Sequence, residues 1–262
     1  LLSSSYGYEE LQVKLTLEVW RQPSTNAQGT WERHELDGLE PAMSILEMLD
    51  ALNEQLIANG KEQVAFESDC REGICGACGL TVNGLPHGPE NNLPACHQRL
   101  RHFKDGDTVR IEPLRSASYP VVRDLIVDRS ALDRIVIAGG HVAIDAGTAP
   151  DADTQLINHE KLELAMDFAA CIGCGACVAA CPNGAAHLYL GAKLAHLSML
   201  PVPRQERDQR AKSMVAAAET TFGPCSNFGE CAKACPENIP LAAVAAVNKE
   251  RMLSGLRRHV DA

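Results

Sequence analysis

The chain has 262 residues, enough for two domains that each bury a core. Its 24 Lys and Arg against 34 Asp and Glu leave a formal charge of −10, which argues against a nucleic-acid partner. Eleven cysteines, an odd number at tight local spacing, argue against a disulfide framework and for a reducing compartment.

No run approaches the ~18–20 apolar residues of a membrane span. The densest candidate, Ala185 to Leu200, is broken by His187, Lys193 and His196. The first residues show no charged region followed by an apolar core, so no secretory signal is expected there. The composition is that of a soluble polypeptide, and any membrane contact is expected through a partner.

In chain order, Val13, Leu15, Leu17 and Val19 alternate with polar residues, which predicts a half-buried strand. Ser44 and Glu47 form a capping box ahead of Ile45, Leu46, Leu49, Leu52 and Leu56 at helical spacing, with Gly60 as the stop. Leu80 to Val82 reads as a strand entering an Asn83-Gly84 turn, and Thr108 to Ile111 as a closing strand. Pro113 to Pro120 reads as a hinge. Beyond it, 121–137, 160–169, 185–200, 204–220 and 241–258 carry helical patterning, with Pro240 in the first turn of the last helix. Gly139-Gly140 and Gly147 to Asp153 read as loop. The expected fold class is α+β. A β-grasp domain of the plant-type ferredoxin kind spans 9–116, and a mostly helical domain of the bacterial-ferredoxin kind spans 117–262.

The cysteines carry the chemistry. Cys70, Cys75, Cys78 and Cys96 make C-x4-C-x2-C with a fourth cysteine 17 residues on, the plant-ferredoxin spacing. Cys171, Cys174, Cys177 and Cys181 make C-x2-C-x2-C-x3-C-P, the bacterial-ferredoxin spacing. Cys225, Cys231 and Cys235 repeat that run with one cysteine missing, because the middle position is Phe228. In two-cluster ferredoxins the fourth cysteine of a run serves the other cluster. Cys171, Cys174 and Cys177 then take Cys235 for a [4Fe–4S] centre, and Cys181 joins Cys225 and Cys231. Three thiolates predict a [3Fe–4S] centre there, with a [2Fe–2S] centre on the first run. Four, four and three ligands account for all eleven cysteines.

Zinc is the simpler occupant of a four-cysteine set, but zinc sites come as paired C-x2-C knuckles, which the Cys70 loop is not. Gly73, Gly76 and Gly79 let the backbone approach a cluster and aim N–H groups at its sulfurs. His97, beside Cys96, reads more simply as a packing residue than as a hydrogen-bond donor to the cluster. Arg71 and Arg99 lie close to ligands and read as solvated or as paired across a subunit interface. Ala185 to Leu200 reads as core before docking face. There is no G-x-G-x-x-G fingerprint and no nucleophile signature, so the chain is expected to move electrons rather than bind an organic substrate.

S-D-C-R-E-G-I-C-G-A-C-G at Ser68 to Gly79 resembles the iron–sulfur subunit of the succinate dehydrogenase and fumarate reductase family. So do Y-P-V-V-R-D-L-I-V-D at Tyr119 to Asp128 and C-I-G-C-G-A-C-V-A-A-C-P at Cys171 to Pro182. The resemblance runs over nearly the whole chain. It implies a flavoprotein partner with FAD that oxidises succinate, and a membrane-anchor subunit of the cytochrome b type, often carrying haem b. It places a quinone beside the [3Fe–4S] centre and implies a route from flavin through the three clusters to that quinone. The complex would sit on the cytoplasmic face of a bacterial plasma membrane. Ubiquinone-reducing members often have a Trp where this chain has Ala186 and a His where it has Ser226, so of the familiar contacts only Pro182 matches, and Pro182 and Ser226 stand as the quinone-proximal positions. The departures favour menaquinone and a di-haem anchor. The reverse direction, as in fumarate reductase, and a free-standing soluble multi-cluster carrier are the alternatives.

Overall fold

The computed structural model describes residues 12–143 and 156–256. The expected Gly147–Asp153 loop lies outside them. Strand β1 (Val13–Arg21) buries Leu15, Leu17 and Val19 completely, as its alternation demands. It pairs antiparallel with β2 (Thr30–Leu39). Helix α1 (Ile45–Ala58) starts on the capping box: Ser44 Oγ accepts from Glu47 N at 3.2 Å and Glu47 Oε2 from Ser44 N at 2.6 Å. That backbone N–H holds the Glu47 carboxyl below its ordinary range.

Strands β3 (Leu80–Val82) and β4 (Leu85–Pro86) form a hairpin whose Asn83 and Gly84 both take positive φ, 50° and 80°, as a two-residue I′ turn requires. Strand β5 (Thr108–Pro113) closes the sheet, parallel to β1 and antiparallel to β3, in the order β2-β1-β5-β3-β4. Beneath it Leu46, Leu49, Leu52, Leu80 and Ile111 share a core with Cys78 and Cys96.

Residues 121–127, expected to be helical, are instead a short hairpin of β6 (Val121–Arg123) and β7 (Ile126–Val127). The cause is long-range. Asp124, at φ 47°, turns the chain while its carboxylate accepts from Gln22 N and Ala65 N, each at 2.9 Å. Only then does α2 (Ser130–Ile135) begin, passing into a π turn at Val136–Gly140. The expected hinge is anchored: Leu114 is fully buried and Tyr119 is 2% exposed, both in the helical core. Leu125, further along, packs in the sheet core, so the two cores interleave here.

The rest is helical: α3 (His159–Ala169), α4 (Ala176–Ala179), α5 (His187–Met199), α6 (Arg204–Glu219), α7 (Glu230–Lys233) and α8 (Ala242–Leu256). Pro240 stands just before α8 rather than in its first turn, and its carbonyl accepts from Ala243 N. Helix α5 is core rather than a free face, with Leu188, Leu190, Leu194 and Leu197 buried. Gly191 permits its contact with α8, since a Cβ there would stand 2.0 Å from Ala243 O. Among the described residues no helix is long and apolar enough to cross a membrane.

Candidate metal centres

All eleven cysteines are free thiols. The first group sits on the loop before β3 and on the approach to the 3₁₀ turn Leu100–His102. The loop winds through left-handed Arg71, Gly73 and Gly76. This turns Glu72 N toward Cys70 Sγ at 3.3 Å and Ala77 N toward Cys75 Sγ at 3.4 Å. The Glu72 amide is the main reason the Cys70 thiol falls to about 7. Cys78 and Cys96 share a hydrogen bond that brings Cys78 down to about 6 and pushes Cys96 up.

The second group forms across sequence. Cys171, Cys174, Cys177 and Cys235 line one cavity, with Ile172, Leu188 and Tyr189. Burial pushes Cys174 up to about 12 and raises Cys177 and Cys235. Thiolates in such surroundings need a cation beside them, and metal binding would release their protons. The third group, Cys181, Cys225 and Cys231, lines a different cavity of about 230 Å³ with Pro182, Ser226 and Phe228. Asn227 N points at Cys225 Sγ at 3.4 Å. Among the described residues, no three Cys, His, Asp or Glu side chains are grouped as for a single metal ion.

The two late runs repeat in structure as well as in spacing. Gly175 (φ 84°, ψ −2°) leads into α4, and Gly229 (φ 84°, ψ −6°) leads into α7. The residue before each glycine therefore holds the same place, Cys174 in one run and Phe228 in the other. Phe228 is 58% exposed at the rim of its cavity. Ser226 is held by Asn183, whose Nδ2 donates to its Oγ at 2.8 Å and to Pro224 O at 3.0 Å. Ala186 lines a neighbouring cavity of about 330 Å³ with His187, Glu219 and Cys225.

The loop glycines serve close packing between segments. A Cβ on Gly76 would lie 2.5 Å from Ile172 O, and one on Gly79 would lie 3.3 Å from Cys174 O. The first cysteine loop is thus pressed backbone to backbone against the second run. Gly73 faces the His97 ring, so His97 packs on the loop. Arg71 pairs with Asp50 at 2.5 Å, and Arg99 donates to Ala42 O at 3.0 Å, so both are satisfied within the chain.

Three long-range contacts have no counterpart in the sequence pattern. Asn92 Nδ2 donates to Cys235 O at 2.9 Å, Tyr119 Oη to Gly175 O at 3.4 Å, and Arg129 to carbonyls of both cysteine loops. None carries a local signal, because each is an ordinary polar residue whose partner is 45 or more positions away.

Residues 16–134 match the model of a 2Fe-2S iron-sulfur cluster binding domain, and 170–239 match that of a 4Fe-4S dicluster domain. The chain is 31% identical over 207 residues to the fumarate reductase iron-sulfur subunit of Escherichia coli O6:H1, covering 75% of this chain and 78% of that protein. It is 30% identical over 246 residues to the Mycobacterium tuberculosis fumarate reductase iron-sulfur subunit, covering 88% and 90%. Identity to the Bacillus subtilis succinate dehydrogenase iron-sulfur subunit is 27% over 201 residues, 74% of each. A chain of the Mycobacterium smegmatis Sdh1 complex in the apo form shares the fold, with a TM-score of 0.67 at 21% identity over 95% of this chain and 98% of that one. With its two cluster-binding domains in this order, the chain belongs to the family of iron–sulfur electron-transfer subunits of succinate dehydrogenase and fumarate reductase.

Proposed function

We propose that this chain is the electron-relay subunit of a membrane-bound succinate dehydrogenase. It would lie between a flavoprotein subunit carrying FAD and a cytochrome b-type anchor carrying haem b, at the cytoplasmic face of a bacterial plasma membrane. Cys70, Cys75, Cys78 and Cys96 hold a [2Fe–2S] centre. Cys171, Cys174, Cys177 and Cys235 hold a [4Fe–4S] centre, and Cys181, Cys225 and Cys231 a [3Fe–4S] centre. When bound, these groups supply one-electron carriers between a two-electron flavin and a quinone, for which menaquinone is the preferred reading.

The remaining work belongs to the chain. Backbone N–H groups of Glu72, Ala77 and Asn227 face cysteine sulfurs and stabilise their negative charge. The apolar wall of Leu188, Tyr189 and Ile239 keeps water from the second group. Pro182 and Ser226, beside the third group, are the quinone-proximal residues. The division at 9–116 and 117–262, and the β-grasp reading of the five-stranded mixed sheet, belong to the same proposal.

The observation that carries the proposal is the equivalence of Phe228 and Cys174 before matched left-handed glycines, which leaves the third group one thiolate short. Electron paramagnetic resonance on the native complex tests it. A near-isotropic [3Fe–4S] signal is expected when oxidised and a [2Fe–2S] signal on reduction. A silent oxidised sample with two [4Fe–4S] centres on reduction would refute the ligand count.

The relatives named fumarate reductase support the reverse direction as a second reading. The ratio of succinate:quinone to quinol:fumarate rates in the same preparation decides between them. Copurification of a flavoprotein and an apolar anchor separates both from a free-standing carrier.

A further inference from the structure

Arg129 stands where two cysteine loops meet. It occupies the position before α2, with Asp128 Oδ1 accepting from Ser130 N at 2.8 Å beside it, so its backbone is held. Its side chain is 17% exposed. Nη1 donates to Gly76 O at 2.6 Å and to Cys174 O at 2.9 Å. Nη2 donates to Ala77 O at 3.2 Å and to the Glu67 carboxylate at 2.8 Å. Gly76 and Ala77 lie between Cys75 and Cys78, and Cys174 belongs to the second group. One planar guanidinium therefore ties together the loops of two centres.

The loops touch without a side chain between them, as Gly76 against Ile172 O shows. Their separation is then set by backbone contact and by the fork that bonds both. The charge on that fork is permanent, since Arg does not deprotonate in proteins. Its partner Glu67 is 39% exposed and screened by water, so the carboxylate offsets the charge only in part. A fixed positive charge beside two carriers favours the added electron on each.

We infer that Arg129 is a positioning residue for electron transfer between the first two centres, holding their loops in contact and raising both reduction potentials together. This rests on the cluster assignment proposed above. A merely structural tie between the cores would leave the potentials alone.

The test uses the native complex with wild-type chain, Arg129→Gln and Arg129→Lys, read by iron content and by redox titration followed by paramagnetic resonance. A wild-type complex that lacks the [2Fe–2S] and [4Fe–4S] signals refutes the cluster assignment itself. With both signals present, Arg129→Gln is expected to lower the reduced-to-oxidised ratio of both centres about tenfold at fixed ambient potential, ~59 mV for a one-electron couple. The Cys181, Cys225 and Cys231 centre should not move. Arg129→Lys is expected to recover most of that shift because the charge remains. It should not recover the wild-type magnetic interaction between the two reduced centres, because the fork is lost.

Unaltered potentials in Arg129→Gln with full iron, or equal shifts at all three centres, would overturn the inference. If Arg129→Gln loses iron, Arg129→Lys decides alone: a changed magnetic interaction supports the positioning role, and a wild-type one refutes it.

Discussion

Replacing Asp124 by Asn probes the joint between the two cores. Asp124 is 2% exposed and sits at φ 47°, a conformation that Asn tolerates about as well, so backbone strain and volume stay nearly constant. What changes is the carboxylate. Its Oδ1 accepts from Gln22 N at 2.9 Å and lies 3.4 Å from Arg21 Nε, while Oδ2 accepts from Ala65 N at 2.9 Å. An amide can serve one backbone donor but must turn its own NH₂ toward the other. That leaves a buried donor unsatisfied at about 1–3 kcal/mol. The ion pair with Arg21 is also lost, although Arg21 keeps Glu32 at 3.8 Å and the Glu62 and Gln63 carbonyls. Those remaining partners hold the total to about 3 kcal/mol, toward the low end for a broken buried pair. At 2–4 °C per kcal/mol for a chain of this size, Tm should fall by about 6–12 °C. Thermal unfolding followed by circular dichroism at neutral pH measures it. A fall below about 2 °C would show that the carboxylate does not clamp the hairpin, and the account of why 121–127 is not helical would fail with it.

Phe228→Cys should add one iron per chain and abolish the oxidised-state [3Fe–4S] signal, while stability changes within about 0.5 kcal/mol because the ring is 58% exposed. Unchanged iron would refute the equivalence with Cys174. Gly76→Ala places a Cβ at φ +71° and 2.5 Å from Ile172 O and should cost roughly 2–4 kcal/mol. Gly84→Ala, at φ +80° with open space around it, should cost only the backbone part, about 1 kcal/mol. Equal losses of Tm in the two would contradict the close approach of the loops. His87 is 1% exposed, and burial lowers it from 6.5 to about 4. The unfolded chain binds the extra proton between those values, so stability is full above pH 6.5 and falls by about 3 kcal/mol as the pH drops through 4. His87→Asn keeps an acceptor for Ala95 N and tolerates φ 69°, and it should remove that acid limb from a denaturation series at pH 4 to 7. An identical acid limb would assign the loss to other groups.

Local order carried a large part of this protein into view. Cysteine spacing marks the cluster-binding loops because ligands must reach one centre from a few neighbouring residues. The Ser44–Glu47 box and the Leu15–Leu17–Val19 alternation mark α1 and β1, because caps and pleats are set within a few positions. The missing thiolate at Phe228 is legible for the same reason.

Tertiary structure decided what depends on distant partners. Val121 to Val127 reads as part of a helix until Gln22 and Ala65 supply the donors that Asp124 accepts, 102 and 59 positions away. Leu114 sits in a stretch that reads as a hinge but is sealed in the helical core. Gly76 reads as a residue that clears a cluster, whereas Ile172 O across the interface is what leaves no room for a side chain. Arg129 is an unremarkable residue in sequence, and it becomes the link between two loops only when folding brings Gly76 and Cys174, 53 and 45 positions from it, within reach of one guanidinium. The cysteine runs follow from short-range spacing, whereas the meeting of their loops follows from packing between segments that no local pattern relates.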